Sequence, residues 1–155
     1  MKKLKLILIL PVLFIFCGNL SSEEYSLDWY LKGTVFESII FDDSSSYNLV
    51  KGEGPWEDNK GDFGHLNCIG KTSNINQNSI LDMVCSAYDN GGDKFWLKLD
   101  RNSERDAGIG KVTYIKGTGK FKNYYNFNCV YAVNYLKDGN EEERTGFYKQ
   151  KCKRN

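Results

Sequence analysis

The sequence predicts an all-β protein: a closed antiparallel barrel of eight strands, with a two-sheet β-sandwich as the alternative. Three observations lead there. Apolar residues recur with a period of two, and no helical stripe appears after residue 22. Clusters of Gly, Asp, Asn and Ser cut the chain into eight segments. Four cysteines form two pairs, each centred on one of those turns.

The first 22 residues stand apart and read as a secretory signal peptide, leaving 23–155 as one domain. Lys2, Lys3 and Lys5 make a basic start, and an apolar stretch runs from Leu4 to Phe16. That stretch is too short to span a bilayer, so no membrane span is expected. Gly18, Asn19, Ser21 and Ser22 supply a small, polar exit. Cys17 offers a second fate, as a lipidated N-terminus of an envelope-associated protein. Either way the mature chain is exported, to the periplasm or the medium.

Removing the three leader lysines takes Lys+Arg from 21 to 18 against 20 Asp+Glu, a mature charge near −2. A nucleic-acid partner is excluded on that balance, because phosphate backbones demand a basic excess. The 14% aromatic content excludes a disordered chain.

The strands are expected at 28–42, 46–52, 62–70, 79–88, 94–100, 109–117, 121–136 and 144–153. In the first, Trp29, Leu31, Val35, Glu37 and Ile39 share a face. The 52–61 stretch, with Gly52, Gly54, Pro55 and Gly61, reads as a long loop, and 71–78 as a polar turn. Leu81, Met83, Cys85 and Ala87 share a face, as do Phe95, Leu97 and Leu99. The segment 89–93 reads as a hairpin turn and 101–108 as a polar loop. In the seventh strand Tyr125, Phe127, Cys129, Tyr131, Val133 and Tyr135 align. In the last, Tyr148 and Cys152 oppose Lys149, Lys151 and Lys153.

Of the five cysteines, Cys17 falls in the leader and four remain, and an even count in an exported protein implies disulfides. Cys68 and Cys85 are equidistant from the junction of Asn76 and Gln77, and Cys129 and Cys152 from that of Asn140 and Glu141. Residues equidistant from a hairpin turn face each other about 4.5–5.5 Å apart, within bridging range. The expected bonds are therefore Cys68–Cys85 and Cys129–Cys152. A zinc site is disfavoured: no C-x-x-C spacing occurs and His65 is the sole histidine.

The run Lys116, Gly117, Thr118, Gly119, Lys120, Phe121, between two strands, resembles the G-T-G-K-[FY] hairpin of the allene oxide cyclase-like barrels. The segment 85–94, with Asp89, Gly92, Asp93 and Lys94, resembles a Cys-containing turn of small exported bacterial proteins of that type. The resemblance spans about residues 80–135. It implies a calycin-like eight-stranded barrel, related in shape to dirigent proteins. No catalytic residue of the cyclases matches a position in this chain, so no activity carries over.

Local motifs for chemistry are thin. Gly117–Lys120 is not a Walker loop, since Phe121 follows the lysine in a strand. Asp89, Asn90 and Asp93 are too closely spaced for a calcium loop and read as a turn. His65 falls on an outward phase with no nucleophile motif around it. Glu37, on the apolar phase, is a candidate acid–base group or ligand anchor pointing into the barrel, or else a residue at its mouth or paired with Arg101 or Lys98. Trp29, Glu37, Tyr125, Phe127, Tyr131, Tyr135 and Tyr148 are the candidate pocket lining, the alternative being that the aromatic rings simply fill the barrel. The expected role is non-enzymatic binding of a small apolar ligand or a partner outside the cytoplasm. The alternative is an isomerase or cyclase using Glu37 on an apolar substrate, and a third is an envelope structural role. No cofactor and no metal are implied.

Overall fold

The computed structural model describes residues 24–104, 108–137 and 143–154. The expected leader, Cys17 included, and Asn140 and Glu141 lie outside the described residues. Eight strands run in chain order: β1 (Glu24–Ile40), β2 (Ser46–Asp58), β3 (Phe63–Ile75), β4 (Asn78–Asp89), β5 (Lys94–Ser103), β6 (Gly108–Gly117), β7 (Phe127–Tyr135) and β8 (Glu143–Arg154). Each pairs antiparallel with its sequence neighbours, and β8 returns to β1 from Glu24↔Lys153 to Thr34↔Glu143. The sheet is a closed barrel, so the sandwich alternative falls. Closure pairs the edges an open sheet would leave exposed. No helix among the described residues is long and apolar enough to cross a membrane.

Inward side chains alternate as the period-two pattern requires. Tyr25, Leu27, Trp29 and Leu31 of β1 are buried, as are Leu81, Met83, Cys85 and Ala87 of β4. Cys68 faces Cys85 across β3–β4, and Cys129 faces Cys152 across β7–β8; both pairs are bonded. The two-residue turn at Asn76 and Gln77 has φ of 51° and 65°, the twist that suits a tight hairpin.

Five expectations need correction. β3 does not end at residue 70 but runs on to Ile75, so the expected 71–78 turn shrinks to Asn76 and Gln77. β2 does not end at residue 52 but runs on through Gly52, Gly54 and Pro55 to Asp58. Gly52 and Gly54 take inward positions in the strand, and Pro55 points outward where the β1–β2 register leaves it unpaired. The real turn is residues 59–62, where the Asp58 Oδ1 accepts from the backbone N–H of Lys60 and Asp62 at 2.9 Å each. β5 extends to Ser103, which puts Arg101 in a strand rather than a loop.

The stretch 121–126 is not strand. Two 3-10 turns occupy Gly119–Phe121 and Tyr124–Asn126, and β7 starts only at Phe127. A 3-10 turn rotates about 120° per residue, so alternation fails there. Tyr124 is buried, and Tyr125, expected inside, is 62% exposed.

In β1 the register slips between Val35 and Glu37, pairing Val35 with Val50 but Glu37 with Leu49. The bulge inserts one residue and turns the rest of the strand out of phase. Phe36, Ile39 and Ile40 are exposed beyond it, and so is Glu37, at the rim rather than buried.

Candidate ligand cavity at one end of the barrel

The two ends of the barrel differ. At the end where β1 begins, aromatic side chains fill the interior. Phe95 packs edge-on against Trp56 and Phe121, with centroids 5.2 and 4.9 Å away. Tyr124 packs against Phe121, Tyr25 and Phe127 at 5.1, 4.9 and 5.1 Å. The 3-10 turns deliver Phe121 and Tyr124 into this plug. Gly117 makes room for them, since a Cβ there would lie 2.2 Å from the Phe121 carbonyl oxygen.

At the opposite end a cavity of about 760 Å³ opens between β1, β2, β3, β4, β5, β7 and β8. That volume falls within the range usual for small-molecule sites. Its apolar wall includes Leu31, Val35, Val50, Leu81 and Met83. Its polar rim includes Glu37, Ser38, Asn48, Thr72 and Asn74. The rim amide of Asn48 is held in place: its Oδ1 accepts from the Ser38 hydroxyl at 2.5 Å, and its Nδ2 reaches Thr72 at 3.4 Å.

Tyr135, Tyr148 and Arg101 also line the cavity. Tyr148 stacks on Trp29 with centroids 5.7 Å apart, and Tyr131 stacks on the same indole at 6.2 Å. Burial pushes the Tyr131 phenol up to about 12, against the pull of the Arg101 charge, and pushes Tyr148 well above the ordinary tyrosine value. Both phenols are therefore neutral donors at neutral pH. Arg101 Nη1 donates to the Tyr135 hydroxyl at 3.4 Å. The Arg144 guanidinium lies 6.0 Å from the Tyr135 ring centroid.

The sequence-derived candidates thus separate. Glu37, Tyr135 and Tyr148 meet at the cavity. Trp29 and Tyr131 form the layer of rings beneath it. Phe127 belongs to the aromatic plug, and Tyr125 lies outside the barrel. Sequence reasoning missed Arg101 as a cavity residue, although it continues the inward phase of Phe95, Leu97 and Leu99. It also missed the rim residues Asn48 and Thr72, which carry no distinguishing pattern.

His65 packs on the outer surface beside Tyr88, ring centroids 6.0 Å apart. The segment 89–93 is a tight turn: the Asp89 Oδ1 accepts from the backbone N–H of Gly91 and Asp93. The four described cysteines are tied up in disulfides and so cannot act as thiolate ligands.

No family model and no curated protein matches this chain. Among solved structures it is similar in fold to the pterocarpan synthase dirigent protein GePTS1, with a TM-score of 0.55 and 12% identity. The match covers 86% of this chain and 89% of the other. At that identity the likeness concerns the barrel alone.

Proposed function

We propose that this protein binds a small molecule in the open-end cavity and acts as a non-enzymatic carrier or sensor outside the cytoplasm. The observation that carries this is the asymmetry of the interior. An eight-stranded barrel is just wide enough to be filled by side chains or to hold one small ligand. Here Trp56, Phe95, Phe121 and Tyr124 fill one end, while about 760 Å³ stays open at the other. Two disulfides fit an oxidising compartment, in keeping with export by the 22-residue leader.

The test is a two-dimensional NMR screen of the mature protein with a panel of small aromatic and aliphatic compounds. A binder should saturate at one per chain and shift the resonances of Leu31, Met83 and Tyr148. Shifts confined to outward residues such as Ile69 and Val84 would end the proposal. An isomerase or cyclase reading rests on Glu37 lining the same cavity. It would require turnover of a bound apolar compound that is lost in Glu37→Gln.

A further inference from the structure

Arg101 is the anomaly of the barrel interior. It is only 5% exposed, on the inward phase of β5 directly after Leu97 and Leu99. A guanidinium stays charged at any physiological pH and presents five donors. Burying such a charge is costly unless an opposite charge and hydrogen bonds meet it. Among the described residues no carboxylate forms an ion pair with Arg101. The neighbouring acids Asp82 and Asp100 are engaged by Lys98, at 3.4 and 2.8 Å. Among the described residues the one hydrogen bond of the Arg101 side chain is the long contact to Tyr135, and its buried Nε has no partner there. Arg144 also lines this cavity, its guanidinium lying over the Tyr135 ring.

We infer that the cavity takes an organic carboxylate, its acid group held by the Arg101 guanidinium beside the Tyr135 hydroxyl and its apolar or aromatic body lying against Leu31, Leu81, Met83 and Tyr148. This rests on the proposal that the cavity binds a small molecule, and names the class of that molecule. A carboxylate fits because its two oxygens match the guanidinium fork in geometry and charge. A bare inorganic anion fits less well, because it would leave the apolar wall uncovered. A neutral ligand would leave the buried charge uncompensated.

The experiment uses the mature, disulfide-bonded protein and three probes: 2-naphthoate, its neutral amide 2-naphthamide, and inorganic phosphate. Titration calorimetry gives affinities, and the Arg101 Nε–H resonance in a nitrogen-labelled sample reports contact. The expected result is one-to-one binding of 2-naphthoate with a shifted Nε–H signal. The amide and phosphate should each bind at least about tenfold more weakly, the loss of one charge-assisted hydrogen bond or more. Arg101→Gln should abolish the preference for acid over amide, and Arg101→Lys should weaken 2-naphthoate binding at least about tenfold, because an ammonium lacks the fork. Arg101→Gln should also fold with undiminished thermal stability, since it removes an uncompensated charge. The Nε–H signal of the unmutated chain keeps the test valid if that variant fails to fold. Equal binding of acid and amide would overturn the role of Arg101 while leaving the cavity a ligand site. Phosphate binding as tightly as 2-naphthoate would overturn the organic acid. Failure of both naphthalene probes, with no shift at any cavity residue, would overturn both this inference and the binding proposal.

Discussion

The Lys120 ammonium lies 2.6 Å from Oδ2 of Asp89, a carboxylate whose side chain is 1% exposed. It also reaches Asp62 Oδ1 at 2.5 Å. One lysine thereby ties the 3-10 turn after β6 to the β2–β3 and β4–β5 turns, all at the plugged end. Burial drives the Asp89 carboxyl upward. The Lys120 contact and the N–H groups of Asp93 and Gly91 outweigh it and hold the carboxyl below its ordinary value. A carboxyl depressed in the folded state stabilises the fold above its unfolded value, about 4, and loses that contribution as pH falls through the lower folded value. Lys120→Met leaves the Asp89 charge buried without its cation. Because Lys120 is part-exposed and screened, the expected cost at pH 7 is about 1–2 kcal/mol. The gap between the two proteins should also narrow as the pH falls below about 4 and Asp89 becomes protonated. Urea midpoints from pH 2 to 7 check this; curves of identical shape for the two proteins would refute it.

Alkaline pH should unfold the barrel abruptly. Burial raises the phenols of Tyr25, Tyr114, Tyr131 and Tyr148, the last with help from neighbouring Tyr135. A phenol raised in the folded state leaves stability intact below its unfolded value of about 10, and costs stability as pH climbs from there to the folded value. Each such tyrosine withdraws about 1.4 kcal/mol per pH unit in that window. Four together remove more than a marginal domain holds within about two units. Tyrosinate absorbance and circular dichroism should therefore change together between about pH 10 and 12. Smooth ionisation of these tyrosines with the sheet signal intact would contradict the burial.

Much of this fold is legible in the sequence because burial in a closed sheet enforces strict alternation. The phase of Cys129 against Tyr131, of Cys152 against Tyr148 and of Cys85 against Leu81 and Met83 is enough to place both pairs of cysteines inside and to set two hairpin registers. What stayed hidden are departures from that phase. The bulge after Val35 moves Glu37 to the rim, and no local residue announces it. The 3-10 turn at Tyr124 exchanges Tyr125 for its neighbour in the core. Gly52, Gly54 and Pro55 look like loop residues, yet they lie in a strand, and Gly54 sits where a side chain would strike the β1 backbone. The cavity itself follows from where bulky inward residues stop, a property of all eight strands at once. Arg101 continues the inward phase of Phe95, Leu97 and Leu99, but the polar residues that follow it make 101–108 look like a loop.

The contrast between Gly52 and Gly54, two residues apart on one inward face, is itself testable. A Cβ on Gly54 would sit 1.8 Å from the Tyr30 carbonyl oxygen, a backbone atom that cannot step aside alone. A Cβ on Gly52 would meet nothing closer than Leu31 at 3.7 Å. Gly54→Ala should therefore cost about 3 kcal/mol, at the upper end of overpacking penalties. Gly52→Ala should stay within about 1 kcal/mol of the parent, with the lower entropy of its unfolded chain acting in its favour. Equal denaturation midpoints for the two variants would show that β2 does not approach β1 as described.

The two disulfides should resist reduction until the barrel opens. All four sulfurs belong to residues at most 1% exposed, facing the interior at Cys68↔Cys85 and Cys129↔Cys152. A thiolate must reach a sulfur in line with the bond it breaks, so attack on the native state is blocked. Dithiothreitol at neutral pH should release thiols only at denaturant concentrations that unfold the chain, as thiol labelling followed by mass spectrometry would report. The bonds close loops with sequence separations of 17 and 23, for which the chain-entropy account gives about 3 kcal/mol each. Cys68→Ala with Cys85→Ala, and Cys129→Ala with Cys152→Ala, should each lower stability by about that amount. Because the separations enter logarithmically, the two double variants should differ by well under about 1 kcal/mol in their unfolded-state term. A larger gap would then locate the difference in the folded state. There the β3–β4 ladder pairs every residue from Gly64↔Asp89 to Ile75↔Asn78, while Cys152 Sγ additionally accepts from the buried Gln150 amide at 3.0 Å. Rapid labelling of the native protein, or a peptide joining Cys68 to Cys129, would contradict the register on which both hairpins depend.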